Sequence, residues 1–151
     1  AMDVHIPATR ELLTNNTEII WKKPPQGVPI KGVMLLFHGC SHQAGDFFTR
    51  QEVTRGLGCE KCLGLPAERS IVKTLINRNY VAVAITSKNK QTKCWGDEDV
   101  SRVAGVVEHI YRALNSNTEE IPLYVLGASS GGYFTFTFTF ASLESVNFLN
   151  L

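Results

Sequence analysis

Gly127-Ala128-Ser129-Ser130-Gly131 is the segment of this sequence whose residue types and spacing best suit chemistry. A serine hydroxyl is a weak nucleophile until a neighbouring base takes its proton. The G-x-S-x-G pattern serves that chemistry when the serine stands on a sharp, strained turn directly after a strand, exposed above the sheet. Glycines two positions to either side, here Gly127 and Gly131, remove side chains that would collide in such a turn. The charge that develops on the attacked oxygen calls for backbone N–H donors. One is the N–H after the nucleophile, here Ser130. The loop after an earlier strand is expected to supply another, around Gly39, Cys40 or Ser41. Ser129 is preferred over Ser130, which follows Ala128 where the pattern has glycine two positions earlier. Small residues also cluster in turns without chemical duties. The reading therefore leans on context: the motif follows an apolar run, and a second run ending in His38-Gly39 lies upstream.

Other chemistry-bearing residues are fewer. His38, at the end of a strand, is expected to hydrogen-bond backbone and shape the Gly39–Cys40 loop rather than act as base. His42 is placed near the pocket mouth, and His5 and His109 at the surface. None of the four is expected to be the base. Cys59 and Cys62 form a lone CxxC, while a zinc site needs four ligands and no second CxxC or HxxxH follows. A structural loop role, as buried thiols or disulfides, is the expectation, with thiol redox or metal chemistry the alternative. Pairing of Cys94 with Cys59 or with Cys62 stays open. Lys93 and Trp95 face the expected pocket edge, where a loop-anchoring tryptophan is preferred to a substrate contact.

The elements that must position these groups follow from patterning. Residues 1–30 are polar and rich in proline, with a short edge strand over Thr17–Trp21. Val33–Phe37 is a continuous apolar run, as in a strand buried on both faces. Residues 41–65 read as an irregular insertion in which Phe47 and Phe48 begin a short helix. Pro66 opens a helix that stops near 77–79. Tyr80–Thr86 and Pro122–Leu126 are two further buried strands. Between them, Val100, Val103, Val107, Ile110, Tyr111 and Leu114 mark a helix with one apolar face, opened by Asp97, Glu98 and Asp99. Strands separated by helices run parallel, and right-handed crossovers put helices on both faces. Ligands then bind beyond the carboxyl ends of the strands. The loops there are 38–42, 87–96 and 127–132. Phe134–Phe140 alternates Phe and Thr strictly, which is a strand pattern.

Composition bounds the partners. The chain has 151 residues, 44% apolar and 19% charged, so a core can be buried. A formal charge of +1 argues against a nucleic-acid surface, which needs concentrated cations. No apolar run is long enough to span a bilayer, and Ala1–Arg10 has no apolar signal-peptide core. No compartment is assigned, and a segment or anchor before Ala1 stays open.

From about Gly32 to Gly132 the sequence resembles the N-terminal half of an α/β-hydrolase. Val33–Phe37 is similar to the third strand of that fold, His38-Gly39-Cys40 to its oxyanion loop and Gly127–Gly131 to its nucleophile elbow. The string Leu36–His42, with Cys59 and Cys62-Leu63-Gly64-Leu65-Pro66, also resembles uncharacterised plant hydrolase-like proteins. The resemblance implies a parallel α/β sheet with helices on both faces. It also implies an esterase- or peptidase-like serine hydrolase acting on a small ester or amide, without a cofactor.

The pattern departs from that family after Ser129. The partners should follow as an acid and then a histidine. Twenty-two residues follow Ser129, with one acid, Glu144, and no histidine. The expected domain is thus partial over 31–133, truncated after the elbow, with an atypical tail over 134–151. Loss of the base costs on the order of a millionfold in kcat, so this chain alone is expected to be close to inactive, as a non-catalytic pseudo-enzyme or interaction fragment would be. A sheet without its later strands exposes an edge, which favours self-association.

Overall fold

A computed structural model of the protein describes residues 6–144. The chain runs β1 (Ala8–Leu12), β2 (Glu18–Lys22), β3 (Gly32–Phe37), a 3-10 turn (Ala44–Phe47), β4 (Val53–Gly56), α1 (Pro66–Asn77), β5 (Tyr80–Ile85), α2 (Asp99–Ala113), β6 (Leu123–Gly127) and α3 (Ser130–Glu144).

All six strands form one sheet in the order β4-β1-β2-β5-β3-β6. The three strands linked through helices, β3, β5 and β6, run parallel as expected. The N-terminal part differs. β2 is not an edge strand: it lies between β1 and β5, antiparallel to both. β1 reads Ala-Thr-Arg-Glu-Leu and has no apolar run to betray it; its place comes from pairing with β2 and β4. The 41–65 segment contains β4 and the 3-10 turn, which ends at Phe47 rather than beginning a helix there.

Strand residues alternate between two cores. Val33, Leu35, Phe37, Val81, Val83 and Ile85 face α2 and α3, meeting Val103, Val107, Ile110, Phe134 and Phe138. Leu36, Ala82 and Ala84 face the other way, towards Val72, Leu75 and Ile76 of α1 and Phe47 of the 3-10 turn. Helices therefore cover both faces, and each continuous apolar strand supplies both layers.

Phe134–Phe140 is not a strand. It lies within α3. At 100° per residue a two-residue alternation does not keep to one side of a helix. Phe134 and Phe138, one turn apart, point into the core at 1% and 2% exposure, while Phe136 and Phe140 are 65% and 60% exposed. Phe134 meets Phe37 edge-on at 5.0 Å and lies flat against Trp95 at 4.8 Å. Burial of those two rings decides the helix over the weak propensity of Phe and Thr. Thr135 adds a hydroxyl bond back to the Gly132 carbonyl at 2.6 Å. Among the described residues, no helix is long and apolar enough to cross a membrane.

Candidate active site

Phe37, Ile85 and Gly127 are register partners across the sheet. The loops 38–42, 87–96 and 127–132 consequently leave the carboxyl edge at one level. The residues singled out by motif are brought together there.

Ser129 occupies the turn between β6 and α3 and is exposed. Its φ is 54°, in the left-handed region that costs a non-glycine residue free energy. Its hydroxyl makes no hydrogen bond among the described residues. The flanking glycines have a steric reason. A Cβ on Gly131 would overlap the carbonyl oxygen of Phe37, and one on Gly127 would overlap that of Gly131. Ala128 N–H donates to the Phe37 carbonyl at 3.1 Å and Gly131 N–H to the Ala128 carbonyl at 2.9 Å, which ties the turn to the end of β3.

Gly39 faces this turn: a Cβ built on it would lie 3.6 Å from Ser129 Cβ and 3.6 Å from the Ala128 carbonyl oxygen. The next residue, Cys40, has a backbone N–H with no acceptor among the described residues, whereas Ser41 N–H donates to the Thr92 carbonyl at 2.9 Å and His42 N–H to that of Gly39 at 3.2 Å. Ser130 N–H, the first of α3, also has no acceptor, because a first-turn N–H lies beyond the reach of its own helix. Its hydroxyl is engaged, accepting the backbone N–H of Trp95 at 2.9 Å.

His38 is bonded to backbone through both ring nitrogens. Its Nε2 accepts the Ser87 N–H at 3.1 Å, so the ring proton sits on Nδ1, which donates to the Gly39 carbonyl at 2.7 Å. Burial lowers its pKa below the ordinary value of 6.5, with the Gly39 bond opposing that shift. Both ring nitrogens are spent within the scaffold. Trp95 seals the arrangement from above: Nε1–H donates to the His38 carbonyl at 2.7 Å and the two rings lie 5.0 Å apart. It is an anchor, while the Lys93 carbonyl accepts the Ser87 hydroxyl at 2.8 Å.

The cysteines pair as neither candidate pairing of Cys94 had it. Cys40 is bonded to Cys94, and Cys59 to Cys62. Cys94 finds Cys40 because the 38–42 and 87–96 loops leave adjacent strands at one level, a relation that linear spacing hides. Among the described residues, no group of three or more His, Cys, Asp or Glu could hold a metal ion. His109 is part-buried, with Nε2 3.0 Å from Glu11 Oε2. His5 lies outside the described residues, as does the tail beyond 144.

Sequence reading missed one feature near Ser129. His42 Nδ1 lies 2.8 Å from Asp46 Oδ2. The signal available was an acid four residues after a histidine, in a segment read as irregular.

No protein-family model matches this chain, and no curated protein matches it. Solved structures do. A cold-adapted esterase from an Arctic intertidal metagenomic library superposes over 92% of this chain with a TM-score of 0.58 at 14% identity. Dienelactone hydrolase from Anabaena variabilis covers 92% with a TM-score of 0.56 at 15% identity. Brefeldin A esterase, described as a bacterial homologue of human hormone-sensitive lipase, covers 95% with a TM-score of 0.54 at 16% identity. The chain spans 57%, 58% and 38% of their respective lengths. The fold is that of the α/β-hydrolases.

Proposed function

We propose that the protein is a serine hydrolase of the esterase or peptidase kind, with Ser129 as nucleophile. The Cys40 and Ser130 N–H groups, with Gly39 giving close approach, form the oxyanion site. His38 positions their loop. The substrate class is a small ester or amide, and the reaction needs no cofactor. One observation carries the reading. An exposed serine, held in a costly backbone conformation, precedes the Ser130 N–H and faces Gly39, whose neighbour is Cys40; neither the Ser130 nor the Cys40 N–H has an acceptor among the described residues. Strain of this kind persists where surrounding structure enforces it, and it concentrates at reactive sites. Unpaired N–H groups are rare in folded proteins unless water or a ligand meets them.

The test is labelling by a fluorophosphonate, which bonds to activated serine hydroxyls. The full-length protein takes up one label, at Ser129, and its Ser129→Ala variant takes up none. Labelling that persists in Ser129→Ala sinks the assignment.

A second reading is a non-catalytic interaction protein. It is favoured by the exposed Tyr133, Phe136, Phe140 and Leu143 on α3, beside a β6 that, among the described residues, pairs only with β3. Concentration-dependent mass in light scattering, with no labelling at all, would favour it.

A further inference from the structure

We propose that Asn15 is the acceptor of an N-linked oligosaccharide, carried at the tip of the β1–β2 hairpin. The proposal stands apart from the role of Ser129.

Asn15-Asn16-Thr17 is the one Asn-x-Ser/Thr sequence in the chain, and no proline interrupts it. That pattern accepts oligosaccharide where the asparagine lies on a surface loop. Residues 14–16 join the two strands: Leu13 N–H donates to the Thr17 carbonyl at 3.0 Å and Asn16 N–H to that of Leu13 at 2.8 Å. A three-residue hairpin loop ends on a left-handed residue, and Asn16, with φ 59°, meets that demand. The turn thus accounts for Asn16, not for Asn15. Asn15 is exposed and Thr17 is buried. The Thr17 hydroxyl donates to Asn15 Oδ1 at 2.6 Å. Asn15 Nδ2, the atom a glycan joins, has no partner among the described residues.

The cysteines are an independent second observation. Cys40 is paired with Cys94 and Cys59 with Cys62, so all four are oxidised. Disulfides form and persist in oxidising compartments such as the endoplasmic reticulum lumen, and are rare where glutathione keeps thiols reduced. A chain oxidised in that lumen meets the transferase that glycosylates exposed asparagines.

The hairpin leaves the sheet at the edge that bears the candidate site. Ile19 of β2 is the register partner of Ile85 of β5, and Thr86 N–H donates to the Glu18 carbonyl at 3.0 Å. The 87–96 loop therefore begins beside the hairpin. β5 and β3 lie between β2 and β6, which separates the root of the glycan from the Ser129 turn.

The step is a glycosyl transfer from a polyprenyl-pyrophosphate oligosaccharide. Asn15 Nδ2 bonds to the anomeric carbon. The bond from that carbon to the phosphate oxygen breaks, and polyprenyl pyrophosphate leaves with the electron pair. Nδ2 gives up one proton to solvent, and nothing is oxidised or reduced.

The test uses the full-length protein taken from the cells that make it. Trypsin, cutting after Arg10 and Lys22, frees peptide 11–22, which holds Asn15 and Asn16. Peptide N-glycosidase in heavy-oxygen water turns a glycan-bearing asparagine into aspartate carrying that oxygen. Mass spectrometry should find the label at position 15 and leave Asn16 an amide. On gels the wild-type protein should drop in apparent mass after the same treatment. Asn15→Gln, an exposed change that should fold, should run with the treated wild type and lose the shift. Thr17→Ser, which keeps the hydroxyl, should retain it. The wild-type peptide decides the matter even if a variant misfolds. An unmodified Asn15 in that peptide, or an Asn15→Gln protein that shifts as the wild type does, overturns the proposal. A bare Asn15 with all four cysteines still paired overturns it equally, by showing oxidation without transfer.

Discussion

The indole N–H of Trp95 donates to the carbonyl oxygen of His38 at 2.7 Å, binding the loop after β5 to the loop after β3. The backbone N–H of the same residue donates to Ser130 Oγ. One tryptophan thus fastens the loop after β3 to the start of α3. Trp95→Phe keeps a ring against Phe37 and Phe134 but leaves that carbonyl unpaired. It should lower unfolding stability by about 1 kcal/mol. Trp95→Ala also removes the packing and should cost about 3 kcal/mol. Urea midpoints measure both; equal midpoints for wild type and Trp95→Phe would deny the hydrogen bond any weight.

Two glycines near Ser129 should respond differently to alanine. At Gly131 the new methyl overlaps the Phe37 carbonyl oxygen and lies 2.5 Å from that of His38. Backbone must move, and a loss of about 1–3 kcal/mol is expected. At Gly39 the nearest atoms are 3.6 Å away, an ordinary contact, so Gly39→Ala should melt with the wild type. It should nonetheless slow fluorophosphonate labelling, because the methyl enters the space beside Ser129. Thermal melts and labelling on the same samples separate the two effects.

The disulfides differ in the loops they close. Cys40–Cys94 has a sequence separation of 54 and Cys59–Cys62 one of 3. By loop-closure entropy the first contributes about 4 kcal/mol and the second about 1.5 kcal/mol. The double variant Cys40→Ser/Cys94→Ser should therefore lose more in denaturant titrations than Cys59→Ser/Cys62→Ser. The first should also label more slowly, since Cys40 carries a proposed oxyanion donor. A reversed order of stabilities would contradict this ranking.

Stability should fall in mild acid through His38. Its folded pKa is lowered by burial, below the ordinary value of 6.5. The unfolded chain therefore binds the proton first, and folding is opposed once pH drops below about 6.5. The stability is whole above that pH and is lost on the way down through the lowered folded value. His38→Gln removes this titration. Between pH 8 and pH 5.5, the urea midpoint of the wild type should drop further than that of His38→Gln; parallel drops would show that His38 is not responsible.

Much of the central architecture is legible because period and burial agree. Val33–Phe37 and Tyr80–Ile85 are apolar on consecutive residues, and both faces prove covered. Pro66 opens α1 as an N1 proline should. The turn at Ser129 was legible because its glycines answer a local steric demand. What escaped depended on distant partners. β1 alternates weakly and is a strand only by pairing. The Phe–Thr repeat has strand periodicity, but two rings fitting against Phe37 make it helix. The Cys40–Cys94 bond and the His42–Asp46 pair likewise need the loops in three dimensions before their members can be matched.

The Cys40–Cys94 bond also decides how the molecule bears load. Tension applied at the two termini passes across the sulfur bridge and bypasses the residues between. With 54 positions of separation shielded, a pulled oxidised molecule should fall short of its reduced counterpart by roughly 180–195 Å of contour, at 3.3–3.6 Å per residue. β5 and α1 lie inside that shielded stretch, so half of the parallel β3–β5 pair would never feel the pull directly.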